Sequence, residues 1–63
     1  MIYEIGVTID YVHRTNCKFS DGDMRKAKYK GEPITFGLDL VQSQHPNAVI
    51  EFDYIKEFDK DVD

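Results

Sequence analysis

The chain opens on a strict alternation. Tyr3, Ile5, Val7, Ile9 and Tyr11 are apolar or aromatic, and Glu4, Gly6, Thr8 and Asp10 fall between them. A period of two, rich in β-branched and aromatic residues, predicts a strand with one face buried. His13, Thr15, Cys17 and Phe19 keep the same parity, so the strand can continue beyond Val12. A thirteen-residue strand at about 3.3 Å per residue would span about 43 Å. A compact chain of this length is only roughly 27 Å across. Such a strand must either bend, with Gly6 as the bend or bulge point, or project and pair with a second copy. A long unprotected edge strand is a template for pairing, so a homodimer through this strand is one expectation.

Two further alternations follow. Ile34, Phe36, Leu38 and Leu40 alternate with Thr35, Gly37 and Asp39, which predicts a second strand. Ala48–Ile55 predicts a third, with Ile50, Phe52 and Tyr54 inward and Glu51 and Asp53 outward. The polar run QSQHPN between them, Gln42 to Asn47, reads as a loop. Its shortness suggests that these two strands form an antiparallel hairpin.

The segment SDGDMRKAKYKGEPITF, Ser20 to Phe36, carries two readings. As a helix it has Ser20 at the N-cap, Asp23 as the acid of a capping box, and Phe19 with Met24 as a hydrophobic staple. Gly31 would then terminate it, with Pro33 just beyond. As a hairpin, Ala27 and Tyr29 would pair with Ile34 and Phe36 across Lys30–Pro33. The capping signals favour a short helix over residues 21–30. The resulting fold is α+β: an antiparallel sheet of about three strands packed against one short helix. The alternative is an all-β four-stranded sheet or small barrel.

Composition adds limits. At 63 residues the chain is a single small domain that buries only about 60% of its unfolded surface. The eight aromatic residues, four Tyr and four Phe, must supply the large buried areas because Trp is absent. Lys56–Asp63 offers only Phe58 and Val62 for burial, so residues 57–63 are expected to fray as an acidic tail. Cys17 is the only cysteine, which excludes an internal disulfide and points to a reducing, cytoplasmic setting. MIYEIGVTIDY lacks the features of a secretory leader, and no apolar run approaches the ~20 residues of a membrane span.

The net charge of −4 hides an asymmetry. Residues 14–30 carry six basic and two acidic side chains, while the rest of the chain is strongly acidic. Affinity for nucleic acid is driven by phosphate neutralisation, so an acidic chain is better matched to a basic protein surface.

Candidate chemistry is sparse. His13, Cys17 and His45 are the residues with nucleophilic or soft-metal potential, but they lack the close Cys/His spacing of zinc sites. On one extended strand His13 and Cys17 would lie about 13 Å apart, too far for a dyad. Asp21-Gly22-Asp23 resembles the start of a calcium loop, yet Arg25, Lys26 and Lys28 follow where further oxygen ligands belong. Neither a nucleotide fingerprint nor a phosphate-cradling glycine loop is present, so neither metal nor cofactor is expected. The run VIEFDYIKEF is similar to the strand-to-helix turn of pterin-synthase-like proteins. The closely spaced histidines that this resemblance implies for zinc are missing, and it lends no function here.

Two surfaces remain. Asp10, Asp39, Glu51, Asp53 and Glu57, with Glu4, would form an acidic strip if their strands are neighbours. Such a strip can imitate nucleic-acid phosphates and occupy a partner's basic groove. Arg25, Lys26, Lys28, Tyr29 and Lys30 combine cations with one stacking ring, the recipe for single-stranded nucleic acid. The first reading gives a small non-enzymatic protein that binds and modulates, or inhibits, another protein, of the accessory type encoded by phages and mobile elements. The second gives a nucleic-acid-binding module.

Overall fold

The opening alternation belongs to two strands. In the computed structural model, which describes residues 1–59, β1 (Ile2–Ile9) pairs antiparallel with β2 (His13–Ser20). Their register runs from Ile2 opposite Ser20 to Ile9 opposite His13, leaving Asp10, Tyr11 and Val12 as the turn. An odd-numbered turn preserves parity, so Tyr3, Ile5, Val7 and Ile9 share a face with Phe19, Cys17, Thr15 and His13. The chain therefore reverses at residues 10–12, and Gly6 is not its bend.

The reversal requires left-handed backbone, with φ of 51° at Asp10 and 70° at Tyr11. Hydrogen bonds at the base hold it. The Asp10 N–H donates to the Val49 carbonyl at 2.9 Å and Val12 N–H to the Ile9 carbonyl at 3.2 Å. The Val49 N–H donates to Asp10 Oδ1 at 3.1 Å.

The helix expected from the capping signals is present, though shorter than 21–30. In α1 (Asp21–Lys26) the Ser20 hydroxyl accepts from Asp23 N–H, and the Asp23 carboxylate accepts from Ser20 N–H. Lys28, with φ of 57°, takes the left-handed position expected of Gly31. The Lys28 N–H reaches the Arg25 carbonyl and Tyr29 N–H the Met24 carbonyl, the bond pair of a Schellman termination. The early stop lets the Tyr29 ring pack on Phe36, with centroids 5.1 Å apart.

Residues 34–40 are not a strand. They lie in α2 (Pro33–Gln44), with Pro33 in the first turn, where its missing N–H costs nothing. Ile34, Phe36, Leu38 and Leu40 fit a period of two, but Gly37 and Val41 are buried as well. Before the last residue, Gln44, the exposed residues are Thr35, Asp39, Gln42 and Ser43, spaced as one face of a helix. The expected hairpin between residues 34–40 and 48–55 is consequently absent.

Instead β3 (Ile50–Phe58) pairs antiparallel with the other edge of β1, giving the order β2-β1-β3. β1 has both edges occupied, so of the long first strand that was expected only residues 13–19, now part of β2, lie at an edge of the sheet. Among the described residues the free edges belong to β2 and β3. A register shift opposite Gly6 and Val7 makes Asp53 an extra, bulged residue. It keeps Ile50 and Phe52 on the core parity, turns Tyr54 onto the opposite face and returns Ile55 to the core. The inward orientation expected for Tyr54 therefore does not hold. VIEFDYIKEF contains no strand-to-helix turn. Glu57 and Phe58 pair with Tyr3 and Ile2 rather than fraying, and residues 60–63 of the expected tail lie outside the described residues.

The architecture is α+β, a three-stranded antiparallel sheet with two helices, one of them short. α2 packs across the face made by Tyr3, Ile5, Val7 and Ile9, while α1 sits at the end of the first hairpin. Ile5 and Val7 are fully buried, and Phe19, Phe36 and Val41 complete the core. The ring series Tyr3–Phe19–Phe36–Tyr29 joins sheet to helix at centroid spacings of 5.5, 5.1 and 5.1 Å. No helix among the described residues is long and apolar enough to cross a membrane.

The Asp10 clamp is testable by substitution. Asp10→Asn keeps an acceptor oxygen and tolerates φ > 0, so its unfolding free energy in urea should stay within about 0.5 kcal/mol of wild type. Asp10→Ala loses both features and should cost about 1–2 kcal/mol.

Candidate functional site

With α2 on one face of the sheet, the opposite face is open among the described residues. Down its centre run Ile2, Glu4, Gly6 and Thr8 of β1, paired with Ser20, Lys18, Asn16 and Arg14 of β2. β3 contributes Glu51, Tyr54, Lys56 and Phe58. Asp53 joins them through its bulge, its Oδ2 accepting from the Thr8 hydroxyl at 2.7 Å.

Tyr54 organises this face. Its ring lies over Gly6, where an added Cβ would stand only 2.5 Å from Tyr54 Cδ2 and Cζ. Its hydroxyl donates to Glu4 Oε2, while Lys18 Nζ approaches Glu4 Oε1 at 3.9 Å. Lys56 Nζ stands 5.4 Å from the ring centroid, within cation–π range. The donated hydrogen bond and partial burial raise the Tyr54 phenol above its ordinary value of 10.0. Beside the ring, a shallow cleft of about 440 Å³ is lined by Arg14, Asn16, Asp53 and Tyr54, among others.

The acidic residues are gathered differently from the strip expected. Glu51, Asp53 and Glu57 share β3, an edge strand, but Glu57 pairs with Tyr3 and so takes the α2 face, leaving Glu51 and Asp53 with Glu4 of β1 on the open face. Asp39 does not join them, because its strand is a helix. It is exposed on α2, on the other layer of the molecule. Asp10 sits in the hairpin turn, where one carboxylate oxygen is occupied by Val49 N–H.

The basic segment loses its stacking ring. Arg25 and Lys26 close α1, Lys28 holds the left-handed turn, and Lys30 leads toward α2. Tyr29 turns inward onto Phe36 and is partly buried. That leaves cations without the exposed aromatic that base stacking requires.

The three residues with chemical potential stay apart. His13 is exposed at the start of β2, Cys17 is half-buried against the core, and His45 is the exposed C-cap of α2. Burial raises the Cys17 thiol pKa, which holds it in the less nucleophilic form. Among the described residues no group of three His, Cys, Asp or Glu side chains is placed to hold a metal.

At the far end of the sheet, Tyr3 donates to Asp21 Oδ1 at 3.1 Å and the N-terminal ammonium stands 3.3 Å from Asp21 Oδ2. Burial, then this bond, raises the Tyr3 phenol. The Asp21 carboxyl is lowered, chiefly by the Tyr3 hydroxyl and then by the N-terminus and Arg25.

No protein-family model, curated protein or solved structure matches the chain. The functional reading rests on these residues.

Two outcomes follow from the Tyr54 arrangement. Tyr3 and Tyr54 both have raised pKa values, so their contribution is complete below the ordinary phenol value and lost as pH rises through the folded values. The urea midpoint should fall as pH rises past the ordinary phenol value of 10.0, and Tyr54→Phe should make that fall shallower; an unchanged slope would deny Tyr54 its share. Gly6→Ala should displace the Tyr54 ring at a cost of about 1–3 kcal/mol. Adding Tyr54→Ala to it should cost less than the sum of the two single changes in a double-mutant cycle.

Proposed function

We propose that this chain is a binding module that takes a basic segment of a partner protein along β3. One observation carries the reading: Glu51, Asp53 and Glu57 lie along a strand whose outer edge is free among the described residues. A free edge offers unpaired backbone groups to an added strand, and side chains along it supply selectivity. Three carboxylates there disfavour pairing of β3 with its own copy and favour a strand bearing Lys or Arg. Tyr54 and the cleft next to Asp53 supply an aromatic contact, the residue type that dominates binding energy at interfaces.

Modulation follows from occupancy. A basic surface engaged by these carboxylates is withheld from phosphates, so a partner that uses that surface for nucleic acid would be inhibited. The same reading places the chain in the cytoplasm, where a lone cysteine remains a thiol.

The test compares two charge reversals. The tagged protein is purified gently from its source cell and examined by native mass spectrometry, with circular dichroism as the check on folding. Glu51→Lys with Asp53→Lys and Glu57→Lys should lose the bound protein, whereas Asp39→Lys, on the other layer, should keep it. Retention by the triple variant would overturn the β3 reading. Co-purified nucleic acid, lost on Arg25→Glu with Lys26→Glu, would favour the basic segment instead.

A further inference from the structure

We infer that the Tyr11–Val12 tip of the first hairpin is an insertion contact: a rigid apolar knob that enters an apolar socket on the partner protein. The inference rests on the β3 reading and extends the same footprint. The socket would lie beside the basic stretch that meets Glu51 and Asp53.

Exposure is the first observation. Val12 is 83% and Tyr11 68% exposed, more than any other exposed large hydrophobic side chain among the described residues. Neither belongs to the core or packs against it. Hairpin tips ordinarily carry Gly, Asn or Asp, whose side chains suit water and left-handed backbone. Here two apolar residues occupy a site that folding does not require them to fill.

Backbone geometry is the second. Tyr11 has φ of 70°, a region where a bulky side chain is strained and glycine is not. Glycine at this position would ease the turn and cost no core contact. A bulky residue retained at a strained site points from that strain toward a function for its side chain.

Rigidity is the third. Asp10 and Val49 exchange two hydrogen bonds at the base of the tip, and Val12 N–H closes the turn on Ile9. The knob is thus held before any partner arrives, which lowers the ordering cost of binding. A Tyr side chain offers large contact area for few rotatable bonds.

Position supplies the partner's chemistry. Val49, itself exposed, is tied to Asp10 and directly precedes β3. The tip is thus tied to the end of β3 at which Glu51 and Asp53 lie, with exposed Val49 at the junction. A matching protein presents an apolar socket with Lys or Arg on its rim.

The test joins stability to binding in the full chain. Tyr11→Gly should raise the melting temperature by about 4 °C by relieving the turn, and should weaken the complex retained by wild type at least tenfold. Val12→Ser, which leaves the left-handed positions untouched, should weaken it as well. With p-benzoylphenylalanine in place of Tyr11, the crosslink should map to apolar partner residues flanked by Lys or Arg. A crosslink confined to a polar surface would overturn the inference. A stabilised Tyr11→Gly variant that keeps the complex would also overturn it while leaving the β3 reading intact. Loss of stability in Tyr11→Gly would assign the side chain to folding and overturn it too. Absence of any protein complex with the wild-type chain would overturn both readings together.

Discussion

The close approach of α2 to the sheet at Gly37 is the constraint on which the structure depends. A Cβ at this position would run into Ile5 Cδ1 and stand 2.8 Å from Phe19 Cε1. Glycine in a helix interior is unfavourable by about 1 kcal/mol relative to alanine. That cost is offset by what the contact permits. Phe36 and Val41, on either side of Gly37, reach the buried layer, and Phe36 joins Phe19 to Tyr29. In so short a chain few side chains are large enough to form a core, and seven described hydrophobic residues do so. Helix and sheet must therefore lie close for burial to outweigh chain entropy.

That packing decides which surfaces are left over. Sealing one face of the sheet leaves Glu4, Thr8, Arg14 and Tyr54 on the other. Placing β1 at the centre makes β2 and β3 the edges, and the bulge at Asp53 sets Tyr54 over Gly6. The β3 carboxylates and the hairpin tip are thus products of the same topology. They are joined by the two hydrogen bonds between Asp10 and Val49. The most buried elements serve the fold, whereas the edge strand and the turn carry the side chains that folding leaves free.

Some of this was legible in the amino-acid sequence, and the misreadings have physical causes. The capping box at Ser20 and Asp23 is a local hydrogen-bond pattern, so it could be read without the fold. The first strand and the α+β class were equally visible. Residues 34–40 misled because Ile34, Phe36, Leu38 and Leu40 satisfy both periods over so short a span. The adjacent pair Leu40–Val41, followed by polar Gln42 and Ser43, was the signal for a helix. The turn at 10–12 was hidden twice over. It contains neither Gly nor Asn, and an odd-numbered turn leaves the alternation unbroken. Among the acidic residues, Glu51 and Asp53 lie on a strand as expected because β3 is a true strand, Glu57 extends that strand instead of fraying, and Asp39 was misplaced with its element. Tyr54 and Tyr29 exchanged roles for reasons only tertiary packing shows: a bulge turned the first outward, and an early helix stop turned the second inward.

The most direct test of the central constraint is the unfolding free energy of Gly37→Ala in urea. On helix propensity alone this change would stabilise the protein by about 1 kcal/mol. If α2 must touch the sheet at Gly37, the added methyl forces Ile5 and Phe19 apart and the net effect is a loss of about 1–3 kcal/mol. Unchanged or increased stability would show that the close approach is not what holds the helix to the sheet.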